Sequence, residues 1–342
     1  MSEIKYTAAD FKSDQEVKWC PGCGDYAVLN AVQRALPEIA ESEGVPHEKF
    51  AIVSGIGCSS RFPYYVNTYG FHGIHGRANA VATGLKVANP GLSVFVATGD
   101  GDALAIGGNH FIHSVRRNVD LNVILFNNEI YGLTKGQYSP TSKLGKITKT
   151  SPFGTIEKPF NPGELVIGAR GSFFARSVDA ELNLTKDCIV AAAAHKGMSV
   201  VETLVNCVIF NDKTHAAFSA DKALRAERTI TLKHGEKMLF GENMDKGLVL
   251  NGMKLKVVKV GEDGVSMDDI LTHDAHEKDT MLHNMLAAMK YPDYPVALGI
   301  IRSVDEPVYD LEVEKQIETV QRDCKIKCMD DLLASGETWD VV

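Results

Sequence analysis

The chain has little of what marks an exported, membrane or nucleic-acid-binding protein. Its 342 residues hold no apolar run approaching the roughly 18 that a membrane span needs. The N-terminus, MSEIKYTAADFKSDQE, lacks the apolar stretch of a signal peptide. Seven cysteines are an odd number, and with no export signal they argue against a disulfide framework. Basic residues are in deficit. Lys and Arg number 36 against 44 Asp and Glu, a net charge of −8, so no general grip on nucleic acid is expected. There is no internal repeat and no low-complexity tract. The expectation is a cytoplasmic globular protein. A hydrophobic fraction of 44% and a charged fraction of 23% are ordinary for one, and the length is enough to bury a core without covalent staples.

What is present is a strand-and-turn pattern with chemistry at its ends. Residues 92–102, L-S-V-F-V-A-T-G-D-G-D, read as a buried strand running into a glycine turn. A helical stretch follows, A-L-A-I-G-G-N-H-F-I-H-S-V-R-R, and then a second apolar strand at 121–132, L-N-V-I-L-F-N-N-E-I-Y-G. Strand, helix, strand predicts parallel neighbours. Gly99-Asp100-Gly101 and Asn127-Asn128 then emerge together at the carboxyl edge of the sheet, where open α/β sheets build their sites. A carboxylate beside an amide oxygen suits Mg²⁺, which keeps other positions for water and phosphate oxygens.

The cysteines fall into groups. Cys20 and Cys23 lie in W-C-P-G-C-G, a turn that can aim both thiolates at one point. That favours a metal or cluster over a redox dithiol, because no βαβ pattern precedes it. Cys58 follows the apolar strand of A-I-V-S-G-I-G-C-S-S, and Cys207 ends S-V-V-E-T-L-V-N-C-V-I-F. Cys188, in D-C-I-V-A-A-A-A-H, reads as a core thiol. Cys324 and Cys328 are four apart and could share a helix face.

Taken in order, W-C-P-G-C-G, S-G-I-G-C-S-S-R, H-G-I-H-G-R-A-N-A-V-A-T-G, G-D-G-D, N-N-E-I-Y-G-L-T-K-G-Q and N-C-V-I-F-N-D resemble the β subunit of 2-oxoacid:ferredoxin oxidoreductases. The resemblance is close over residues 18–215, looser through V-A-L-G-I-I-R near residue 300, and strongest to the 2-oxoglutarate enzymes. It implies a doubly wound parallel α/β sheet with helices on both faces that binds thiamine diphosphate. It also implies oxidative decarboxylation of a 2-oxoacid, with 2-oxoglutarate and succinyl-CoA as substrate and product in either direction. Single electrons would pass through one 4Fe–4S cluster to ferredoxin, with coenzyme A as co-substrate.

Residue by residue, the resemblance implies that Cys20, Cys23, Cys58 and Cys207 hold the cluster, and that Asp100, Asn128 and the carbonyl of Ile130 hold Mg²⁺. Gly57, Cys58, Ser59, His75, Gly76, Gly99, Gly101 and Asp102 would line the cofactor, together with Gly132, Leu133 and Thr134. Arg61, His75 and Lys135 would serve substrate or catalysis. Arg77 belongs to the same block, and His72 reads as structural. The glutamate that activates thiamine has no counterpart here. The family supplies it from the α subunit, in an α2β2 assembly, so this chain is half of an active site.

Residues 1–17 read as a flexible polar arm, 18–215 as the cofactor domain and 216–342 as a smaller C-terminal α+β extension. The extension shows hairpin turns near N-G and D-K-G, a helix in D-T-M-L-H-N-M-L-A-A-M-K-Y-P and an amphipathic helix with a tail from Glu312. The stretch 133–165 reads as a long functional loop. Two other readings stay open: a cluster-free thiamine enzyme with structural cysteines, and a non-catalytic zinc-stapled scaffold.

Overall fold

The computed structural model describes residues 5–337, 339 and 341. In chain order its elements begin with α1 (Asp25–Glu43), β1 (Phe50–Ser54), α2 (Phe62–Tyr65), β2 (Tyr69–His72), α3 (Ala78–Ala88), β3 (Ser93–Gly99), α4 (Gly108–Arg117) and β4 (Asn122–Asn127). They continue with α5 (Pro162–Gly168), β5 (Phe173–Val178), α6 (Leu182–Ala194), β6 (Ser199–Leu204), α7 (Ala216–Ser219), α8 (Lys222–Arg228) and β7 (Thr229–Leu232). Then come β8 (Leu239–Phe240), β9 (Lys246–Asn251), β10 (Lys254–Lys259), α9 (Met281–Ala288), β11 (Val296–Ser303), α10 (Tyr309–Asp323) and α11 (Met329–Leu333).

Eight strands form one sheet in the order β2-β1-β3-β4-β6-β5-β11-β7. Its pairs are parallel except β11 with β5. The central strands β4, β5 and β6 are buried at every position, as strands covered on both faces must be. One core joins α1 and α6 to the sheet through Val28, Leu36, Ile39 and Ile189. The other joins α3, α4, α5 and α9 through Ala82, Phe111, Val166 and Leu286. The expected βαβ unit is present: β3 and β4 are parallel neighbours, with Gly99 opposite Phe126.

Three expectations change. The N-terminal arm is not free: Phe11 is fully buried, edge-on to Phe50 at 5.5 Å and stacked on His47 at 4.8 Å. An aromatic in a polar segment is enough to dock it; residues 1–4 of that arm lie outside the described residues. The boundary expected at residue 215 does not divide the sheet, because β7 and β11 enlarge the central sheet and Ile230, Leu248 and Leu286 join one of its cores. The β9–β10 hairpin, turning at Gly252 with φ +62°, and the helix α9 occur as read. Third, Cys324 ends α10 and Cys328 precedes α11, so the two share no helix face. Positions 338, 340 and 342 of the expected tail lie outside the described residues. Among the described residues no helix is long and apolar enough to cross a membrane.

Candidate active site

Four neighbouring parallel strands, β1, β3, β4 and β6, deliver the motif residues to one edge of the sheet. Cys58 follows β1, Gly99-Asp100-Gly101 ends β3, Asn127-Asn128 ends β4, and Cys207 follows β6. The chain leaves β1 in one direction, to β2, and reaches β3 on its other side. That is a topological switch point, where a crevice opens. A cavity of ≈ 230 Å³ lies there.

At one end of the cavity stand Asp100, Asn128 and Ile130. Asp100 is buried, and Ser139 Oγ donates to its Oδ2 at 2.6 Å, with the Thr141 hydroxyl against the same oxygen. Burial pushes its carboxyl up to about 6, and the two hydroxyls oppose that rise. An Asp in this position fits a divalent cation, which would compensate the charge that burial penalises. Asn128 Oδ1 accepts from the Ile130 amide at 3.1 Å, which fixes the turn that presents both. Asn127 points away: its amide donates to Glu202 Oε1 at 2.8 Å. A π-helical turn at Asp102–Ile106 follows the glycine turn.

Glycine serves different purposes on the two sides of Asp100. A Cβ on Gly101 would stand 2.1 Å from the Tyr131 ring, whose hydroxyl donates to the Gly101 carbonyl at 3.2 Å. At Gly99 the same atom would meet only ordinary contacts.

The four expected cluster cysteines are tied together by backbone. Pro21-Gly22 makes the turn, with Gly22 at φ +83° and the Cys23 amide donating to the Cys20 carbonyl at 3.0 Å. The Gly24 amide donates to the Asn206 carbonyl at 3.1 Å, which sets this turn against the Cys207 loop. Trp19 Nε1 donates to the Cys58 carbonyl at 2.7 Å. Cys58 and Cys207 meet over Gly132, where a Cβ would lie 3.4 Å from one sulfur and 4.0 Å from the other. Burial pushes the Cys58 thiol up to about 12, and Asp25, Cys207 and Cys20 add to it. Cys23 is raised in the same way. Among the described residues no three histidine, cysteine or acidic side chains converge as ligands of a single metal ion. A cubane is bound through four different irons, so its thiolates stand farther apart than the ligands of one ion.

Most of the expected cofactor residues line the cavity: Gly57, Cys58, Ser59 and His75 on one side, Gly99 to Asp102 and Gly132 to Thr134 on the other. Gly76 does not; its amide donates to Asp102 Oδ1 at 2.7 Å. Asp102 is a brace, also accepting from the Ile56 amide at 3.1 Å and Thr98 Oγ1 at 2.8 Å. Lys135 sits exposed in a turn at φ +68° and is absent from the cavity wall. Arg61 faces an adjoining cavity, which shares Ile56, Gly57 and Leu133 with the first. Arg77 reaches the His75 carbonyl at 3.5 Å. His72 Nδ1 pairs with the Ser60 carbonyl at 2.7 Å, a structural role as read. Cys188 is buried in the core on α6.

Gln137, at the end of the T-K-G-Q block expected over the cofactor, lines the cavity too, and so do Asp25, Phe126 and Tyr131, which went unread in the sequence. Burial pushes Asp25 up to about 7, a hydrogen bond from Cys23 opposes this and Asp179 adds to it. Its place directly after C-P-G-C-G was the available signal.

Residues 55–203 match the family described as thiamine pyrophosphate enzyme, C-terminal TPP binding domain. Over 335 residues the chain is 46% identical to 2-oxoglutarate oxidoreductase subunit KorB of Mycobacterium tuberculosis, covering 97% of this chain and 88% of that one. It is 46% identical over 189 residues to 2-oxoglutarate synthase subunit KorB of Archaeoglobus fulgidus, 55% of this chain and 69% of that one. A solved structure, 2-oxoglutarate:ferredoxin oxidoreductase from Magnetococcus marinus with 2-oxoglutarate, coenzyme A and succinyl-CoA bound, is similar with a TM-score of 0.76 at 31% identity. That match covers 99% of this chain and 98% of the other.

Proposed function

This chain belongs to the β-subunit family of 2-oxoacid:ferredoxin oxidoreductases, and on that premise we propose that it is one half of an enzyme converting 2-oxoglutarate and coenzyme A to succinyl-CoA and CO2, or the reverse. The observation that carries the reading is the single crevice in which Asp100, Asn128 and Ile130 share a wall with Cys58 and Gly132. Thiamine diphosphate would supply the electron-sink ring for decarboxylation, and a 4Fe–4S cluster an acceptor of single electrons. Asp100, Asn128 and the Ile130 carbonyl would hold Mg²⁺ against the diphosphate. Cys20, Cys23, Cys58 and Cys207 would hold the cluster beside the same cavity. That Cys58 lines the same cavity as Asp100 and Asn128 supports electron transfer to ferredoxin rather than simple decarboxylation.

The partner subunit has a place to dock. Strand β2 is an edge of the sheet and exposed along its length, with Tyr69 and Phe71 turned outward and Ile74 and Ile106 exposed near the cavity. Native proteins rarely leave such an edge bare. An α subunit covering it would bring the missing glutamate to the cavity mouth and complete an α2β2 enzyme.

The test is co-expression with the α subunit. A brown complex with matched iron and labile sulfide, bound thiamine diphosphate and 2-oxoglutarate-dependent ferredoxin reduction is expected. Zinc in place of iron would mean a stapled scaffold, thiamine without iron a cluster-free enzyme, and greater activity with pyruvate a different 2-oxoacid.

A further inference from the structure

A second cavity, of ≈ 320 Å³, lies behind the turn that carries Asn128. It shares no lining residue with the cofactor crevice. The chain leaving β4 alternates between the two: Phe126, Asn128 and Ile130 line the crevice, and Asn127 and Glu129 line the second cavity. Thr141 stands between them, its hydroxyl against Asp100 and 3.0 Å from Asn127 Oδ1. The volume is that of a small-molecule site. Much of the wall is apolar, from Phe160, Leu204, Phe218 and Val296. Phe160 is half exposed, apolar area that an occupant would cover. The acids of the wall are already matched. Arg176 Nε donates to Glu202 Oε2 at 2.6 Å, and Glu129 Oε2 accepts from Thr214 Oγ1 at 2.8 Å, with Lys143 Nζ 3.7 Å away. His215 Nε2 is held at the Asn127 carbonyl, 3.1 Å away. Lys290 also lines the cavity, and among the described residues it pairs with no acid. With the other charges cancelled in pairs, the wall offers apolar surface and one uncommitted cation.

We propose that this cavity is a second ligand site, which takes a small monocarboxylic acid with an apolar body while the cofactor crevice is filled. The apolar body displaces water from Leu204, Phe218 and Val296, and the carboxylate pairs with the exposed Lys290. A neutral molecule of the same shape lacks the ion pair, and a dicarboxylate brings a second charge with no partner. The site goes beyond the reading of the crevice and does not depend on it.

The test is equilibrium dialysis on the assembled complex, with thiamine diphosphate and Mg²⁺ present. The probe is labelled 3-phenylpropionate, which has an apolar body and one carboxylate but no 2-oxo group to make it a substrate. One equivalent per copy of this chain should bind with a Kd below about 1 mM, within reach of a molecule of this size. Excess 2-oxoglutarate should leave that unchanged. The neutral 3-phenylpropanamide should bind about tenfold more weakly. Lys290→Met should weaken the acid by about tenfold and leave the amide unaffected. Ala217→Trp, which fills the cavity, should abolish binding of both. Displacement by 2-oxoglutarate would put the probe in the substrate site and overturn the proposal. Absence of binding, equal affinity for acid and amide, or normal binding of the acid in either variant would do the same. If Ala217→Trp does not assemble with the α subunit, Leu144→Trp, at a more exposed position of the same wall, takes its place. If neither assembles, that wall is a subunit interface and the proposal is wrong.

Discussion

Cys58 and Cys207 meet across Gly132, their sulfurs 3.4 and 4.0 Å from where that glycine's Cβ would stand. Each follows a different strand, β1 and β6, and two further strands separate these in the sheet. Both cysteines stand on the loops that follow their strands, at the sheet edge where β3 and β4 also end. Asn211 holds the second loop in place, its amide donating to the Asn128 carbonyl at 2.9 Å. The cysteine site and the Asn128 turn are thus one mechanical unit, and a change at either should be felt at the other.

That unit separates Cys207 from Cys188. Cys207→Ser should lose iron from the purified complex, because a serine hydroxyl is a poor substitute for a thiolate at a cluster. Cys188→Ser, in the core on α6, should keep full iron and lose only some stability. Iron and sulfide assays on both variants decide. The reverse pattern would overturn the assignment of the ligands.

Asp100→Asn tests the other end. The amide keeps the size of the side chain and can still accept from Ser139 and Thr141, so the loop they anchor should stay in place. The charge that would draw Mg²⁺ is gone. Calorimetry should show thiamine diphosphate affinity falling by two orders of magnitude or more, with circular dichroism unchanged. Normal affinity would mean that the glycine turn and the Asn128 turn do not form one site.

How far the sequence could be read follows from the range over which each interaction acts. The βαβ unit was legible because both strands are continuous apolar runs bounded by glycine and asparagine. Their motifs singled out Asp100, Asn128 and Cys58, which the fold brings to one cavity. Asp25 was not legible, since two of the groups whose charge couples to it, Asp179 and Cys58, lie far off in the chain. Asp102 lines the cavity, but its bracing role was not legible: its oxygens accept from Ile56, Gly76 and Thr98, contacts that only the folded sheet creates. The place of β11 was hidden for the same reason. An apolar strand does not announce its neighbours, and this one pairs antiparallel with β5.

The bare edge of β2 gives a prediction about assembly. Phe71 is 53% exposed and contributes no core contact that a charge would break. Phe71→Glu should leave the fold of this chain intact and abolish co-purification with the α subunit, by placing a charge in a desolvated interface. Recovery of a normal complex would move the docking face elsewhere.

Stability should be most sensitive at the Arg176–Glu202 pair. Arg176 Nε donates to Glu202 Oε2 at 2.6 Å, and the side chains are only 5% and 2% exposed. Arg176→Met leaves a buried carboxylate without its cation, a loss of about 3–5 kcal/mol. Urea unfolding of the complex measures it. A loss below about 1 kcal/mol would show that water reaches Glu202 and that the pair behaves as a surface bridge.

Arg61 is the residue on which a prediction about substrate choice can be made. It lies three residues after Cys58 and faces a cavity that adjoins the cofactor's through Ile56, Gly57 and Leu133. Nη1 makes a long contact to the Tyr65 hydroxyl at 3.5 Å, and among the described residues its guanidinium is paired with no acid. 2-Oxoglutarate carries a distal carboxylate that pyruvate lacks, and burying it requires a cation. Arginine offers a planar bidentate fork for such a group. The competing role is an ion pair with the α subunit across the interface. The two roles differ in which substrates suffer. Losing one charge-assisted contact to the distal carboxylate costs about 2–5 kcal/mol, well over tenfold in kcat/KM, and pyruvate or 2-oxobutyrate has no such contact to lose. Arg61→Ala should therefore depress 2-oxoglutarate turnover far more than that of the other two acids, when steady-state kinetics are measured on the assembled complex. An equal fall for all three would place Arg61 at the subunit interface, and the selectivity for a dicarboxylate would then have to come from a residue of the α subunit.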